Sequence, residues 1–241
     1  MSGSNCNCIN TSGVMSVADK AIILLSGGLD STTTLAIAKA KGYDCVGISF
    51  SYGQSHRFEV KRAKELALSF QCIEHHVVEI PISSFGGSAL TDPTQTIPDY
   101  QERNAIPITY VPARNIIFLS FAIGWAEARS IDHIFMGVNA VDYSGYPDCR
   151  PEFIEAFQRM IDVGTKKGVE GQSIKIHTPL ISMTKGKIIK LGISLGVDYA
   201  KTVSCYKLSD DGHACRTCDS CVLRSKGFIE AGVEDPTTYI K

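Results

Sequence analysis

No run of about 18 apolar residues occurs anywhere in this 241-residue sequence, so no membrane-spanning helix is expected. Residues 1–17 lack the charged start and apolar centre of a secretory signal. Their Ser, Asn and Gly content reads as a disordered leader, and the expected location is the cytoplasm. Neither sign of charge is in excess: 24 Lys and Arg face 25 Asp and Glu, for a formal net charge of −1. The broad electrostatic attraction that draws a protein to nucleic acid is therefore missing, and no nucleic-acid partner is expected. Two common nucleotide loops are absent as well. No Gly-x4-Gly-Lys-Ser/Thr occurs, which excludes a P-loop NTPase, and no third glycine follows Gly27-Gly28, which excludes a dinucleotide fingerprint.

What is present is an ordinary globular composition, 44% hydrophobic and 20% charged, arranged as alternating strands and helices. Strands are predicted at residues 21–25, 45–50, 76–80, 134–137 and 174–178, and helices at 32–41, 57–70, 113–129, 151–163 and 185–195. The helix at 113–129 is apolar nearly all round, through Ile116, Ile117, Phe118, Leu119, Phe121, Ile123 and Trp125, which predicts a place at the centre of the fold. Repeated βα order predicts an α/β fold with a doubly wound, parallel, five-stranded sheet and ligands at the carboxyl ends of its strands. The length suits one large α/β domain, residues 18–200, with a small C-terminal segment at 201–241. No internal repeat is visible. Two connections, residues 86–112 and 138–150, exceed the length of ordinary turns and open toward the expected ligand face.

The most informative turn is Ser26-Gly27-Gly28-Leu29-Asp30-Ser31-Thr32, directly after the first predicted strand. Adjacent glycines can take positive φ angles and aim successive N–H groups into one concavity, and the following helix adds its unpaired N-terminal donors. Strand, glycine turn and helix N-terminus together suit a phosphate; an ordinary turn with a serine cap is the plainer reading.

Nine cysteines are present, and four of them cluster as Cys205-x9-Cys215-x2-Cys218-x2-Cys221. Four thiolates at this spacing can close a tetrahedron around zinc. Spacing alone does not select the metal, so an iron–sulfur cluster and four reduced thiols stay open as alternatives. His213, inside the first span, is either a substitute ligand or a surface residue. Cys6, Cys8, Cys45, Cys72 and Cys149 read as small hydrophobes or tail residues. Arg114 and Asn115 open the 113–129 helix, where a guanidinium either pairs with phosphate or carboxylate or is simply solvated. Residues 49–54 leave the second strand and either line a base or form a plain loop. The 138–150 loop carries Asn139, Asp142, Tyr143, Ser144, Tyr146, Asp148 and Arg150. Its tyrosines can stack on a flat heterocycle, its carboxylates can accept ring N–H groups and its guanidinium can hold an acid; a merely polar loop fits equally.

The glycine turn resembles the PP-loop, SGGxDST, of the ATP pyrophosphatase superfamily, whose members cleave ATP between the α and β phosphates. With the segment GVNAVDYSGYPDCRPEF at residues 137–153 and the four-cysteine C-terminus, residues 19–232 resemble the 7-cyano-7-deazaguanine synthase family. Leu29 stands where relatives often have glutamine, a difference of no consequence for a loop that works through its backbone. The resemblance implies an adenine nucleotide alpha hydrolase-like fold with a small zinc-binding C-terminal segment. It implies an ATP-dependent ligase of queuosine precursor synthesis, acting on 7-carboxy-7-deazaguanine and ammonia through two adenylations, first of the carboxylate and then of the amide. Nucleotide contacts are implied for Leu25, Ser26, Gly27, Gly28, Leu29, Asp30, Ser31, Thr32, Thr33, Thr34 and Leu35, with Asp30 organising magnesium. Catalytic or substrate-holding roles fall on Asp30, Arg114, Asp142 and Arg150, and structural zinc on Cys205, Cys215, Cys218 and Cys221. A homodimer is compatible with this reading.

Three rivals share parts of the pattern. A PP-loop tRNA thiolase would use cysteines to carry sulfur or hold a cluster, but the basic excess for RNA is missing. A zinc-ribbon module for nucleic acid leaves residues 26–32 unexplained, and its binding would fall steeply with salt. An amidating ligase for another carboxylate, related to NAD or GMP synthases, shares the loop and is set apart by residues 138–150.

Overall fold

The computed structural model describes residues 18–53, 58–102, 105–141 and 145–240. Strands β1 (Lys20–Leu24), β2 (Asp44–Ser51), β3 (Glu74–Glu79), β4 (His133–Phe135) and β5 (Lys175–His177) form one parallel sheet in the order β3-β2-β1-β4-β5. The chain runs outward from β1 to β3 and then returns to the other side of β1, so the order reverses between β1 and β4. At such a reversal the connections leave in opposite directions and open a crevice beyond the strand ends.

The helices are α1 (Leu29–Ala40), α2 (Phe58–Ser69), α3 (Arg114–Ala128), α4 (Pro151–Gly164), the single turn α5 (Lys166–Val169), α6 (Lys185–Ser194) and α7 (Asp219–Ala231). β1 shows why both faces must be covered. Ala21, Ile23 and Leu25 pack with Leu35, Ala38, Ala63 and Ala67 of α1 and α2. Ile22 and Leu24, pointing the other way, pack with Leu119, Ala122, Ile123, Ile154, Phe157 and Ile161 of α3 and α4. In register, Ile22 faces Val46 of β2 and Ile134 of β4. A further layer sets α6 and α7 against α1 through Ile37, Ile188, Ile189, Tyr199 and Phe228.

Two expectations change. First, α1 begins at Leu29 instead of residue 32. Three consecutive threonines are poor helix formers, but here Thr32 and Thr33 hydroxyls fold back onto the Gly28 and Leu29 carbonyls at 2.8 and 2.9 Å and the helix accommodates them. Second, α3 lies in an outer layer and not at the centre: Leu119, Ala122 and Ala126 are fully buried, whereas Ile116 is 42% exposed and Phe121 36%. A helix against one face of a sheet has only one side to bury. Its outward aromatics pack among themselves instead, with Phe121 and Trp125 centroids 5.7 Å apart. The long 86–112 connection is tied to the C-terminal segment at two described residues: the Tyr100 N–H donates to the Thr217 carbonyl at 2.7 Å, and Lys207 Nζ meets Asp99 at 2.6 Å.

α7 has no counterpart among the predicted helices. Its hold on the fold comes from a buried cation: Arg224 pairs with Asp235 at 3.1 Å and donates to Thr202 Oγ1 at 2.8 Å and to the Tyr199 carbonyl at 3.0 Å. Among the described residues no helix is long and apolar enough to cross a membrane.

Candidate active site

The glycine turn sits at the order reversal. Gly27 takes φ +82°, and a Cβ there would lie 2.6 Å from the Glu59 carbonyl oxygen. Gly28 is extended, with φ −83° and ψ 169°, so only one of the two glycines is left-handed. The role of Gly28 is space, since a Cβ there would come within 3.3 Å of the Val203 carbonyl. The first helical bond runs from the Thr32 N–H to the Gly28 carbonyl, which leaves the N–H groups of Leu29, Asp30 and Ser31 directed out of the helix start. Hydroxyls brace the turn: Ser26 and Ser31 Oγ are 3.0 Å apart, and Ser31 Oγ accepts from the Ser26 N–H at 3.2 Å. At the end of β4, Gly137 allows close approach, with a Cβ there 3.0 Å from the Ser31 nitrogen.

The turn forms part of the wall of a cavity of about 250 Å³. Leu25, Ser26, Gly28, Leu29, Asp30 and Ser31 line it. Thr32, Thr33, Thr34 and Leu35 do not: all four are fully buried in α1, and the Thr33 hydroxyl faces Tyr199 at 2.8 Å. The cavity's apolar lining includes Phe50, Leu90, Phe118 and Met136, and the Phe50 and Phe118 rings stack at 4.0 Å. Of residues 49–54, Ser49, Phe50 and Tyr52 line the cavity. Ser49 Oγ donates to the Leu25 carbonyl, so it accepts from His75 Nε2 at 2.8 Å. Its one proton is thus committed, and it is not a nucleophile of the serine–histidine type.

Arg114 is the one cation among the described lining residues. Its Nη1 lies 3.4 Å from the Tyr52 hydroxyl, and nearby tyrosines hold its pKa above the usual range despite burial. Arg114 occupies the first position of α3, after Ala113 in the left-handed region at φ +55°. A cation at the positive end of a helix and a strained alanine both disfavour this geometry locally. It is held from the 138–150 loop: Asp148, buried, accepts the Asn115 N–H at 3.1 Å, and the Asn115 amide donates to the Asp148 carbonyl at 3.1 Å.

Elsewhere in that loop, Val138, Asn139, Tyr146 and Cys149 reach the cavity wall. Asp142, with Tyr143 and Ser144, lies outside the described residues. Arg150, expected from the sequence to hold an acid, is exposed at the N-terminal boundary of α4 and is not among the described residues that line the cavity. Burial pushes the Cys149 thiol up to about 12.

Sequence reasoning missed Lys185. Its Nζ holds both Asp30 oxygens, at 2.9 and 2.8 Å, from a residue that is 5% exposed. The stem passes α7 at Gly227, where a Cβ would lie 2.3 Å from Lys185 Cγ. The signal was present: a lysine opening a helix opposes the helix dipole and so calls for a partner.

The four clustered cysteines are buried, with their sulfurs all within 4.8 Å of one another. Zinc–sulfur bonds of about 2.3 Å in a tetrahedron put the sulfurs about 3.8 Å apart; Cys215 and Cys221 Sγ are 3.9 Å apart. Backbone N–H groups of Tyr206, Lys207, Cys215 and Cys218 point at cluster sulfurs, at 3.2 to 3.5 Å, as thiolates require. Arg216 at φ +70° makes the turn between Cys215 and Cys218. His213 is not a member of the cluster. Cys205 also lines the cavity, and the Val203 N–H donates to the Gly27 carbonyl at 3.0 Å, so the cluster and the glycine turn are joined by two residues of chain.

A sequence model of the family described as "Queuosine biosynthesis protein QueC" matches residues 20–232. The chain belongs to this family. A 7-cyano-7-deazaguanine synthase of Coxiella burnetii (strain RSA 331 / Henzerling II) is 58% identical over 221 residues, covering 92% of this chain and 98% of the relative. One of Methylococcus capsulatus is 58% identical over 219 residues, covering 91% and 98%. In this member of the QueC family, therefore, the glycine turn, Arg114, the aromatic wall and the cysteine cluster converge on one crevice.

Proposed function

We propose that the chain is an ATP-dependent carbon–nitrogen ligase that converts 7-carboxy-7-deazaguanine and ammonia to 7-cyano-7-deazaguanine in the cytoplasm. The observation that carries this reading is one cavity lined both by the glycine turn and by stacked aromatic rings, inside a QueC-family chain. Neither a carboxylate nor an amide has an oxygen that leaves readily at neutral pH; transfer of AMP onto that oxygen supplies a leaving group. The N–H groups of residues 29–31 receive the pyrophosphate portion of ATP, and because they are in place before the reaction they stabilise charge developing on that leaving group. The α phosphorus is then the electrophile, with Arg114 beside it to hold the incoming carboxylate.

Asp30 suits magnesium: it is a carboxylate on the cavity wall, and Lys185 holds both of its oxygens in place. Magnesium supplies neutralisation of phosphate charge when bound. Cys205, Cys215, Cys218 and Cys221 suit structural zinc, which fastens the C-terminal segment beside Gly27. Metal analysis of the purified protein is expected to find about one zinc per chain; iron with sulfide, or no metal in active protein, contradicts it.

Mass spectrometry of a mixture of ATP, magnesium, ammonium and 7-carboxy-7-deazaguanine tests the reading. The nitrile, preceded by the primary amide, is expected. Turnover of ATP without either product, or nitrogen transfer only to a different carboxylate, refutes it.

A further inference from the structure

A second carboxylate faces the same cavity. Glu59, in the first turn of α2, lines it with Tyr52 and Arg114. Its position relative to the phosphate turn is fixed, because Gly27 packs on the Glu59 carbonyl and the Ala63 nitrogen too closely to admit a Cβ. Asp30 is gripped by Lys185 through both oxygens; Glu59 makes no hydrogen bond or ion pair within the protein among the described residues. A carboxylate kept in a cavity wall without a partner costs stability, and such groups cluster where a proton is handled.

We propose that Glu59 is the catalytic base of the amidation step, taking the proton that the attacking nitrogen gives up. This rests on the ligase reading above. The ammonia lone pair forms the C–N bond at the carbonyl carbon of the acyl-adenylate, and the C–O bond to AMP breaks with its electron pair going to the phosphate oxygen. One N–H proton passes from the positively charged nitrogen to the Glu59 carboxylate, and a neutral amide remains.

The other titratable groups of the wall serve this step poorly. Asp30 on α1 is ion-paired, Cys149 is neutral, Cys205 belongs to the thiol cluster, and Arg114 on α3 stays a cation. Burial raises Tyr52, and the Tyr146 hydroxyl is engaged with Thr109 at 3.0 Å. Burial moves Glu59 up to about 7, against the pull of the Arg114 guanidinium. That value suits a group that accepts a proton from nitrogen and returns it to water near neutral pH. Arg114 also places the group: the guanidinium that influences Glu59 is the one offered to the reacting carboxyl.

The test separates the two half-reactions. Adenylation is read as ATP–pyrophosphate exchange dependent on 7-carboxy-7-deazaguanine without ammonia, and amidation as amide formed on adding ammonium chloride. In Glu59→Gln, amidation at neutral pH is expected to fall about 100-fold or more, while exchange changes by less than about 3-fold. The wild-type amidation rate at constant free ammonia is expected to rise with pH through about 7, as Glu59 loses its proton, and the Gln variant to lack that rise. Equal losses in both half-reactions overturn the proposal and move Glu59 to the nucleotide site; intact amidation overturns it as well. Should the Gln variant fail to fold, Glu59→Asp and the wild-type profile decide, a flat profile across neutrality being the contrary result. A wild-type protein with no exchange at all refutes the ligase reading, and the role of Glu59 with it.

Discussion

The loop at residues 26–31 and the loop at 138–150 meet in one cavity, yet they are built in opposite ways. The first is local. Its bracing bonds, Ser26 to Ser31 and Thr32 to Gly28, span five residues or fewer, and the Val203 N–H anchors the finished turn through the Gly27 carbonyl. The second is held from across the fold: the Asn139 amide donates to the Leu180 and Met183 carbonyls, the Tyr146 hydroxyl meets Thr109 at 3.0 Å, and Asp148 takes the Asn115 N–H. A site made of backbone donors tolerates change in its side chains, whereas a site made of long-range contacts depends on each one. Glycine and one carboxylate should thus carry the sensitivity of the first loop, and Arg114, positioned through the second, should carry more than Arg150 within it.

The largest expected effect is that of Asp30→Asn. Turnover should fall by about two orders of magnitude or more, and the protein should lose about 3 kcal/mol because Lys185 is left buried with its partner's charge removed; assays and denaturant melts read these separately. Normal turnover would reduce Asp30 to a structural partner of Lys185. Next comes Arg114→Lys, where loss of two-point geometry should weaken use of the carboxylate about 10- to 100-fold in kcat/KM while conversion of the preformed amide suffers less. Equal damage to acid and amide would assign Arg114 to the phosphate instead. Gly27→Ala should cost about 1–3 kcal/mol and weaken ATP binding, since φ +82° and the approach to Glu59 both oppose a side chain. Gly28→Ala, at an unstrained φ, should cost less, and the reverse order would mean that the turn rearranges when nucleotide binds. The smallest effect should be that of Arg150→Lys, about 3-fold or less in KM for the acid, because the side chain lies outside the cavity wall. A large effect would show that the 138–150 loop brings it inward on binding.

Legibility in the sequence followed the same division. The parallel sheet was readable because β1 is apolar from Ala21 on, β2 is largely apolar, and the helices between strands carry their own periodicity. The glycine turn and the cysteine cluster were readable because their geometry is encoded within a few residues. Lys185 and Glu59 were not singled out, as each gains its meaning from a neighbour far along the chain, 155 residues away in the case of Asp30 and Lys185. The central position expected for α3 failed for a related reason: apolar residues all round a helix say that both sides avoid water, not that both sides meet the sheet. Ile116 and Phe121 face outward, and nothing in their spacing revealed it.

The central claim is that the 26–31 turn grips the pyrophosphate end of ATP and so exposes the α phosphorus. Phosphorus NMR of a turnover mixture tests it directly. AMP and pyrophosphate should form together, two of each for every nitrile made from the acid and one of each for every nitrile made from the amide. ADP and inorganic phosphate as the primary products would contradict the account, because they require a loop that presents the γ phosphorus instead.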